Sequence, residues 1–282
     1  MTTATMTRRL LTDIRRELER LKAARAASPI LRRFREDPSR LMTDAGITPD
    51  SWQRTLLRST SDRVLMLITR QGGKSLTAAA LALREALLKP PALVLLLSPG
   101  LRQSGELFRA KVRRLFRRLG RPVGAVQETQ LTMELSNGSR IVARPGEEET
   151  IRGYSDVSLL IIDEAARVPD ELYFSVRPML AVSKGKLVCL STPWGKRGWF
   201  YDEWISSHAW HRVKVPADQC PRISPDFLAE ERASLGDYWY SQEYELCFRD
   251  VIDAYFRAED IEAALVNDVE PLVIGGSHNV PR

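Results

Sequence analysis

Cysteine is scarce in this chain of 282 residues, and its thiols are widely scattered. The three cysteines, Cys189, Cys220 and Cys247, are odd in number and do not have the spacing of metal ligands. We therefore expect free thiols in a reducing compartment.

Long apolar runs are also absent. No stretch approaches the roughly 20 apolar residues that a helix needs to cross a bilayer, and residues 1–9 lack the apolar core of a signal peptide. The sequence contains neither internal repeats nor a low-complexity tract. We therefore expect a soluble, intracellular protein that has no membrane partner.

The remaining composition is that of a globular protein with an excess of positive charge. Hydrophobic residues make up 44% of the chain, which is enough to build a sizeable core. Lysine and arginine number 42 against 36 acidic residues, which gives a formal net charge of +6. This balance suits a polyanionic partner, although many soluble proteins without such a partner are equally basic.

From residue 63 onward, short apolar runs alternate with helical patterns, and fully apolar runs suit strands that are buried on both faces. Asn137 and Gly138 separate two such runs and predict the turn of a hairpin. Strands are predicted at residues 63–68, 92–97, 131–135, 139–143, 157–162 and 186–190. Helices are predicted at residues 74–88, 101–119, 169–180, 225–234 and 238–248. This order predicts an α/β fold with a mainly parallel sheet that is flanked by helices.

Changes of composition along the chain predict its division into parts. Leucines at helical spacing predict an amphipathic helix over residues 8–26, and three prolines and a glycine over residues 28–50 predict a broken linker. Aromatic and charged residues mix from about Trp199, which predicts a small helical subdomain. The predicted parts are an N-terminal helix and linker (1–48), a core (49–198), a small subdomain (199–256) and a tail (257–282).

A phosphate-binding loop is predicted where the first strand meets the following helix. Gly73, Lys74 and Ser75 lie at this junction, where backbone N–H groups can surround a polyphosphate. Lys74 would reach the β- and γ-phosphates of ATP, and the Ser75 hydroxyl would bind Mg²⁺. The first glycine of the G-x-x-x-x-G-K-[ST] pattern is missing, because Ile68 holds its position. Taken alone, the tripeptide is therefore a weak signal that a chance turn would also produce.

An acidic pair supplies the second half of the predicted site. Asp163 and Glu164 follow the apolar run Leu159 to Ile162, which predicts a buried strand that ends at the edge of the sheet. Asp163 would hold Mg²⁺ there, while Glu164 would polarise the attacking water. An acidic pair that caps a helix is the alternative, but its combination with the Lys74 loop favours a nucleotide site.

Several further segments match one known family. Arg70-Gln71 precedes the glycines, Trp52-Gln53 lies upstream, and Ser191-Thr192-Pro193 ends a later strand. Together with the loop and the acidic pair, this set resembles the ATPase domain of the large terminase subunit of tailed bacteriophages. The resemblance covers about residues 50–256, and the missing first glycine is itself typical of that family. It implies a P-loop fold of the RecA/ASCE type, in which residues 199–256 form a lid subdomain.

The resemblance also implies a role for each matching position. Gln53 would read adenine, Arg70 would act on the γ-phosphate of its own or a neighbouring subunit, and Thr192 would couple hydrolysis to movement. The alternatives are a buried helix start, a surface arginine and a plain strand-ending turn, respectively. The implied ATP-binding residues are Gln53, Gln71, Gly72, Gly73, Lys74, Ser75 and Thr192. The implied catalytic residues are Glu164, Arg70 and Lys74, and the implied Mg²⁺ ligands are Ser75 and Asp163.

As an activity, the resemblance implies an ATP-hydrolysing motor that moves double-stranded DNA into a procapsid. The implied partners are the portal protein, the small terminase subunit and further copies of the chain in a ring, in the cytoplasm of the bacterial host. Full-length family members carry a nuclease domain after the lid, whereas only residues 257–282 follow here, so we expect no nuclease activity in this chain. A nucleotide-binding remnant and a helicase-like DNA-dependent ATPase stay open as alternatives.

The predicted helix at residues 101–119 and its end are densely basic. Such a surface would contact DNA phosphates, with binding that weakens as salt rises. A solvated face or a contact with a neighbouring subunit is an equally good interpretation. The basic residues concerned are Lys111, Arg113, Arg114, Arg117, Arg118 and Arg121.

Overall fold

The computed structural model describes residues 28–146, 151 and 153–250. The predicted helix at residues 8–26 and the predicted tail at 257–282 lie outside the described residues. Within the described ranges, the chain forms an eight-stranded sheet with helices on both faces. The predicted α/β fold with a mainly parallel sheet is therefore confirmed.

The strands of the sheet are β1 (Arg63–Ile68), β2 (Leu93–Ser98), β3 (Ala125–Glu128), β4 (Thr132–Leu135), β5 (Arg140–Pro145), β6 (Val157–Asp163), β7 (Lys186–Ser191) and β8 (His211–Val215). They lie side by side in the order β3-β4-β5-β2-β6-β7-β1-β8. Six neighbouring strands of this order run parallel to one another, namely β5, β2, β6, β7, β1 and β8. Strand β4 pairs antiparallel with both β3 and β5.

Helices cover the sheet on both sides. The α-helices are α1 (Pro29–Glu36), α2 (Arg40–Thr43), α3 (Ser51–Arg58), α4 (Lys74–Leu88), α5 (Leu101–Glu106), α6 (Arg114–Arg118), α7 (Asp170–Val176), α8 (Gly198–Ile205) and α9 (Pro225–Glu243). A π-helical segment (Leu107–Arg113) joins α5 and α6 into one continuous helical stretch. Among the described residues, no helix combines the length and the apolarity that a membrane span requires.

The central strands are apolar over most of their length because both of their faces are buried. In β1, Val64 and Met66 belong to one hydrophobic core, while Leu65 and Leu67 belong to the other. The first core is closed by α1, α4 and the helical stretch that contains the π-helical segment. The second core is closed by α7 and α8. This two-sided burial fixes the strands and therefore the positions of the loops at their ends.

The segment 28–50 is structured, so the prediction of a broken linker was wrong there. Pro29 stands in the first turn of α1, where a proline has no N–H bond to lose. Leu31 and Phe34 lie one turn apart on that helix, and both are buried against the first core. A proline at a helix start therefore permits a short helix here instead of preventing one.

Three other differences from the predicted elements lie outside the central strands. The edge strands β3 and β8 and the helices α3 and α8 were not predicted. The two helices predicted at residues 225–234 and 238–248 form one element, α9, with a bend at Gly236, whose backbone is not helical. The stretch predicted as a helix at residues 169–180 is α7 followed by a 3-10 turn (Arg177–Leu180).

Strand order brings three chain segments together at one edge of the sheet. Strands β6, β7 and β1 are neighbours and run parallel, so their carboxyl ends point the same way. The loops that follow these strands begin at Glu164, Thr192 and Thr69, respectively. In open α/β sheets, ligands bind beyond such carboxyl ends.

Candidate nucleotide site

The loop between β1 and α4 is a tight turn that opens directly into the helix. Ile68, which replaces the first glycine of the usual pattern, is the fully buried last residue of β1. Gln71 and Gly73 have left-handed backbones, with φ of 59° and 95°. A Cβ at Gly72 would lie 2.7 Å from the Ile68 side chain, so glycine is required for this close turn. The loop therefore delivers Lys74 to the first position of α4.

Replacing Gly73 with alanine is expected to destabilise the protein by roughly 1–3 kcal/mol. The left-handed backbone disfavours a side chain there, and the added Cβ would lie 2.8 Å from Nε2 of the buried Gln53. Urea unfolding measures the effect. Gly153→Ala is the matched control, because its Cβ would meet no atom within 4 Å. Equal free energies of unfolding for the two variants would contradict the described loop.

Gln53 lies beneath the loop. The residue is 2% exposed, and Oε1 accepts a hydrogen bond from the Asp50 N–H at 2.9 Å. Its Nε2 donates to Thr77 Oγ1 at 2.9 Å, and that hydroxyl donates to the Gly73 carbonyl oxygen at 3.0 Å. Gln53 therefore supports the loop from a buried helix start, and its reading of adenine stays a prediction.

A second support comes from Arg222, which the sequence did not indicate. Its guanidinium contacts both carboxylate oxygens of Asp50, at 2.6 and 2.8 Å, and donates to the Gly72 carbonyl oxygen at 3.3 Å. Arg222 follows a 3-10 turn (Ala217–Gln219) and belongs to no motif. It ties the predicted lid region to the loop and to the start of α3.

Arg70 makes another tie to the predicted lid region. Its Nε lies 2.7 Å from an oxygen of Glu243, the last residue of α9, which is only 9% exposed. Thr69 Oγ1 donates to the backbone carbonyl of Glu243 at 3.0 Å. The hydrogen bond to Glu243 raises the pKa of Arg70. The arginine is therefore engaged within the chain while it also lines the cleft.

The acidic pair lies at the end of β6, as predicted. Glu164 has a left-handed backbone, with φ of 51°, which is uncommon for a residue other than glycine and is concentrated at functional sites. Its Oε1 lies 2.8 Å from Lys74 Nζ. The structure thus joins the acidic strand end to the loop lysine.

Asp163 is the more buried member of the pair, with 7% of the residue exposed. Burial, and then the neighbouring Glu164 charge, raise its pKa to about 6, while Lys74 opposes this shift. One of its oxygens accepts the Glu164 N–H at 3.0 Å. A carboxylate in such surroundings gains stability from a nearby cation.

Thr192 follows β7, the strand between β1 and β6, and lines the same cleft. The preceding Ser191 accepts a hydrogen bond at Oγ from the Ala166 N–H at 3.2 Å. The end of β7 is therefore connected to the turn that follows Glu164.

These side chains surround a cleft of about 700 Å³. Seven of the predicted site residues line it, whereas Gln53, Gly72 and Asp163 do not. Five further residues, none of them predicted for the site, complete the wall. The lining residues are the predicted Arg70, Gln71, Gly73, Lys74, Ser75, Glu164 and Thr192, together with the additional Leu76, Gln103, Lys111, Arg167 and Arg222.

The fold is similar to solved large terminase structures. It superposes on the ATPase domain of the large terminase of Thermus phage P74-26 with a TM-score of 0.66 and 21% identity, covering 75% of this chain and 99% of that chain. A second similar structure is the large terminase of a thermophilic bacteriophage in complex with ATP-gamma-S. For that structure the TM-score is 0.58 at 14% identity, covering 71% of this chain and 52% of that chain.

The sequence is similar to known terminases as well. It is 26% identical over 216 residues to the large terminase subunit of Thermus phage G20c, covering 69% of this chain and 44% of that protein. The chain therefore spans less than half the length of this curated relative. A family model described as "Terminase large subunit, T4likevirus-type, N-terminal" matches residues 65–263, which is most of the chain. The predicted resemblance is confirmed: this chain belongs to that family of terminase large subunits.

Proposed function

We propose that this chain hydrolyses ATP and couples the hydrolysis to movement of double-stranded DNA into a procapsid. The observation that carries the proposal is the contact between Lys74 of the phosphate loop and Glu164 of the acidic strand end, at 2.8 Å. Ser75 and Thr192 line the same cleft. A thermophilic bacteriophage terminase of similar fold was solved with ATP-gamma-S.

The phosphate loop holds the substrate in this proposal. Lys74 and the loop N–H groups bind the phosphates of ATP, as the N-terminus of a helix favours anions. Because a phosphate would draw Lys74 away from Glu164, binding would free one carboxylate oxygen. Glu164 then takes a proton from water, whose oxygen bonds to the γ-phosphorus as the bond to the bridging oxygen breaks.

Mg²⁺ is part of this proposal, with Ser75 and Asp163 as its protein ligands. A hydroxyl and a carboxylate are the oxygen donors that Mg²⁺ prefers, and the buried Asp163 carboxylate favours a cation. When bound, Mg²⁺ would neutralise charge that develops on the phosphate oxygens. Among the described residues, no group of three or more His, Cys, Asp or Glu side chains is arranged for a metal. Mg²⁺ sites that keep several waters and phosphate oxygens need no such group.

The outer residues have roles that rest on the family resemblance. Arg70 would stabilise negative charge on the γ-phosphate in its own or a neighbouring subunit, after leaving Glu243. Gln53 would read adenine, which requires the amide to leave Thr77 or to use its remaining hydrogen-bonding capacity. Thr192 would sense the loss of the γ-phosphate and pass the resulting conformational change to the segments that grip DNA.

DNA, portal protein and small terminase subunit are the proposed partners, with further copies of this chain forming a ring. The basic helical stretch supports contact with DNA phosphates. Arg113, Arg117 and Arg121 all pair with Glu128 of β3, so three positive charges share one carboxylate. The positive charge of these arginines that Glu128 does not neutralise suits a polyanion such as DNA.

ATP turnover with and without DNA tests the proposal. We expect Mg²⁺-dependent phosphate release by the purified chain, and we expect double-stranded DNA to stimulate it. The stimulation should weaken as salt rises, because salt weakens the binding of DNA. Lys74→Ala provides the background rate. Nucleotide binding without turnover would instead support a binding remnant, and stimulation by single-stranded DNA alone would support a helicase-like enzyme.

A further inference from the structure

Arg167 lies beside the acidic pair and belongs to none of the motifs described above. It ends the 3-10 turn (Ala165–Arg167) that follows Glu164, and its side chain lines the nucleotide cleft. Its Nε lies 3.7 Å from Glu164 Oε2, the oxygen that Lys74 does not contact. Within the part of the chain that the structure describes, the Glu164 carboxylate therefore lies between two cations, one on each oxygen.

The same arginine also contacts the loop that follows β7. Its guanidinium carbon lies 3.9 Å from the centre of the Trp194 ring, within the range of a cation–π contact. Trp194 is two residues from Thr192. The Ala166 N–H also donates to Ser191 Oγ, at 3.2 Å. The turn after Glu164 and the end of β7 with its loop are thus connected by one hydrogen bond and one cation–π contact.

The stacking fixes where the guanidinium can lie. A planar guanidinium on an indole face loses much of its freedom, so the contact with Trp194 restrains its distance from Glu164. If Lys74 moves to a phosphate, Arg167 is the cation among the described residues that stays paired with Glu164. The carboxylate then keeps one oxygen anchored and presents the other to the cleft.

From this arrangement we infer that Arg167, stacked on Trp194, is a positioning residue that orients Glu164 for water activation. The inference rests on the proposed hydrolysis and extends it to a pair that connects the catalytic carboxylate with the Thr192 loop. Arg167 acts through Glu164 and need not touch the substrate. Movement of the Thr192 loop would shift Trp194, Arg167 and then Glu164.

Substitutions at the pair test this role. For Arg167→Ala we expect kcat to fall about tenfold or more, because a misplaced base loses activity steeply. The KM for ATP and the affinity for a fluorescent ADP should stay within about twofold, since phosphate binding depends on Lys74 and the loop. Arg167→Lys should restore part of kcat, as it keeps the charge without the planar stack.

Variants at Trp194 separate stacking from charge. Trp194→Ala should lower kcat, as Arg167→Ala does. Trp194→Phe should keep kcat near the wild-type value because it keeps an aromatic face. The double variant Arg167→Ala/Trp194→Ala should be no worse than Arg167→Ala alone, since both act through one contact. Should Arg167→Ala fail to fold, Arg167→Lys and the two Trp194 variants carry the test.

A second measurement reports on the loop that follows β7, in which Trp194 lies. Tryptophan fluorescence during titration with ATP-gamma-S and Mg²⁺ should change in wild type, and the change should be reduced in both Trp194→Phe and Arg167→Ala. A wild-type kcat in Arg167→Ala, a raised KM with unchanged kcat, or additive losses in the double variant would overturn the inference. If Glu164→Gln is inactive while Arg167→Ala has wild-type kcat, only this inference fails. If Glu164→Gln hydrolyses ATP like wild type, the proposed function itself fails.

Discussion

Replacing Glu164 with glutamine is expected to lower ATP turnover about a hundredfold or more, because a positioned general base contributes on that scale. The substitution keeps the shape of the side chain and removes its capacity to take a proton from water. It also removes the ion pair with Lys74, which lies 2.8 Å away. Lys74 would then be freer to bind phosphate, so nucleotide affinity should be kept or increased.

Steady-state phosphate release and the affinity for fluorescent ATP measure these two effects separately. Glu171→Gln is the matched control, because it makes the same chemical change on an exposed residue in the first turn of α7. This control should keep wild-type turnover. Loss of nucleotide binding in Glu164→Gln, with turnover per bound nucleotide unchanged, would contradict the role of Glu164 as a base.

Replacing Lys74 with alanine is expected to reduce both binding and turnover. A charge-assisted hydrogen bond contributes roughly 1.5–3 kcal/mol, so the affinity for ATP should fall by about tenfold to a hundredfold. Turnover at saturating ATP should also fall, since the lysine would stabilise charge on the γ-phosphate. The fold should survive, because Glu164 keeps Arg167 as a partner at 3.7 Å.

Titration with fluorescent ATP and a thermal unfolding curve check both statements. Lys214→Ala removes an exposed lysine of β8 and so controls for general effects of charge loss. An unchanged affinity in Lys74→Ala would show that ATP does not bind at this loop.

The central sheet was predictable because its strands are apolar on both faces. Residues 63–68 and 157–162 have no alternation, and each is bounded by polar residues. The edge strand β8 lacked this signal, since its residues are mostly half-buried and include His211, Arg212 and Lys214. Its place beside β1 comes from backbone pairing, and local hydrophobicity does not report such pairing.

The helices at residues 29–43 were missed because prolines were treated only as breakers. Pro29 begins α1, and Leu31 and Phe34 face the core at helical spacing. A glycine and prolines over a short stretch mask such a pattern when it is only one or two turns long. The burial of these residues against α4 comes from the tertiary fold.

The residues of the candidate site likewise fall into those that local sequence predicts and those that only the tertiary fold reveals. The residues of the loop and the acidic strand end were predictable from short motifs, since each motif is local in the chain. Arg222 and Glu243 contact the loop from 150 and 173 residues away, respectively, and no local pattern marks them. Gln53 was found, but its burial under Gly73 depends on packing that the motif does not encode.

Phosphate release by the purified chain, measured with ATP in Mg²⁺ and again in excess chelator, tests the central claim most directly. We predict turnover in Mg²⁺ that the chelator abolishes and that Glu164→Gln loses while still binding ATP. Turnover by Glu164→Gln equal to that of the wild type, or no turnover by the wild type with or without DNA, would contradict it.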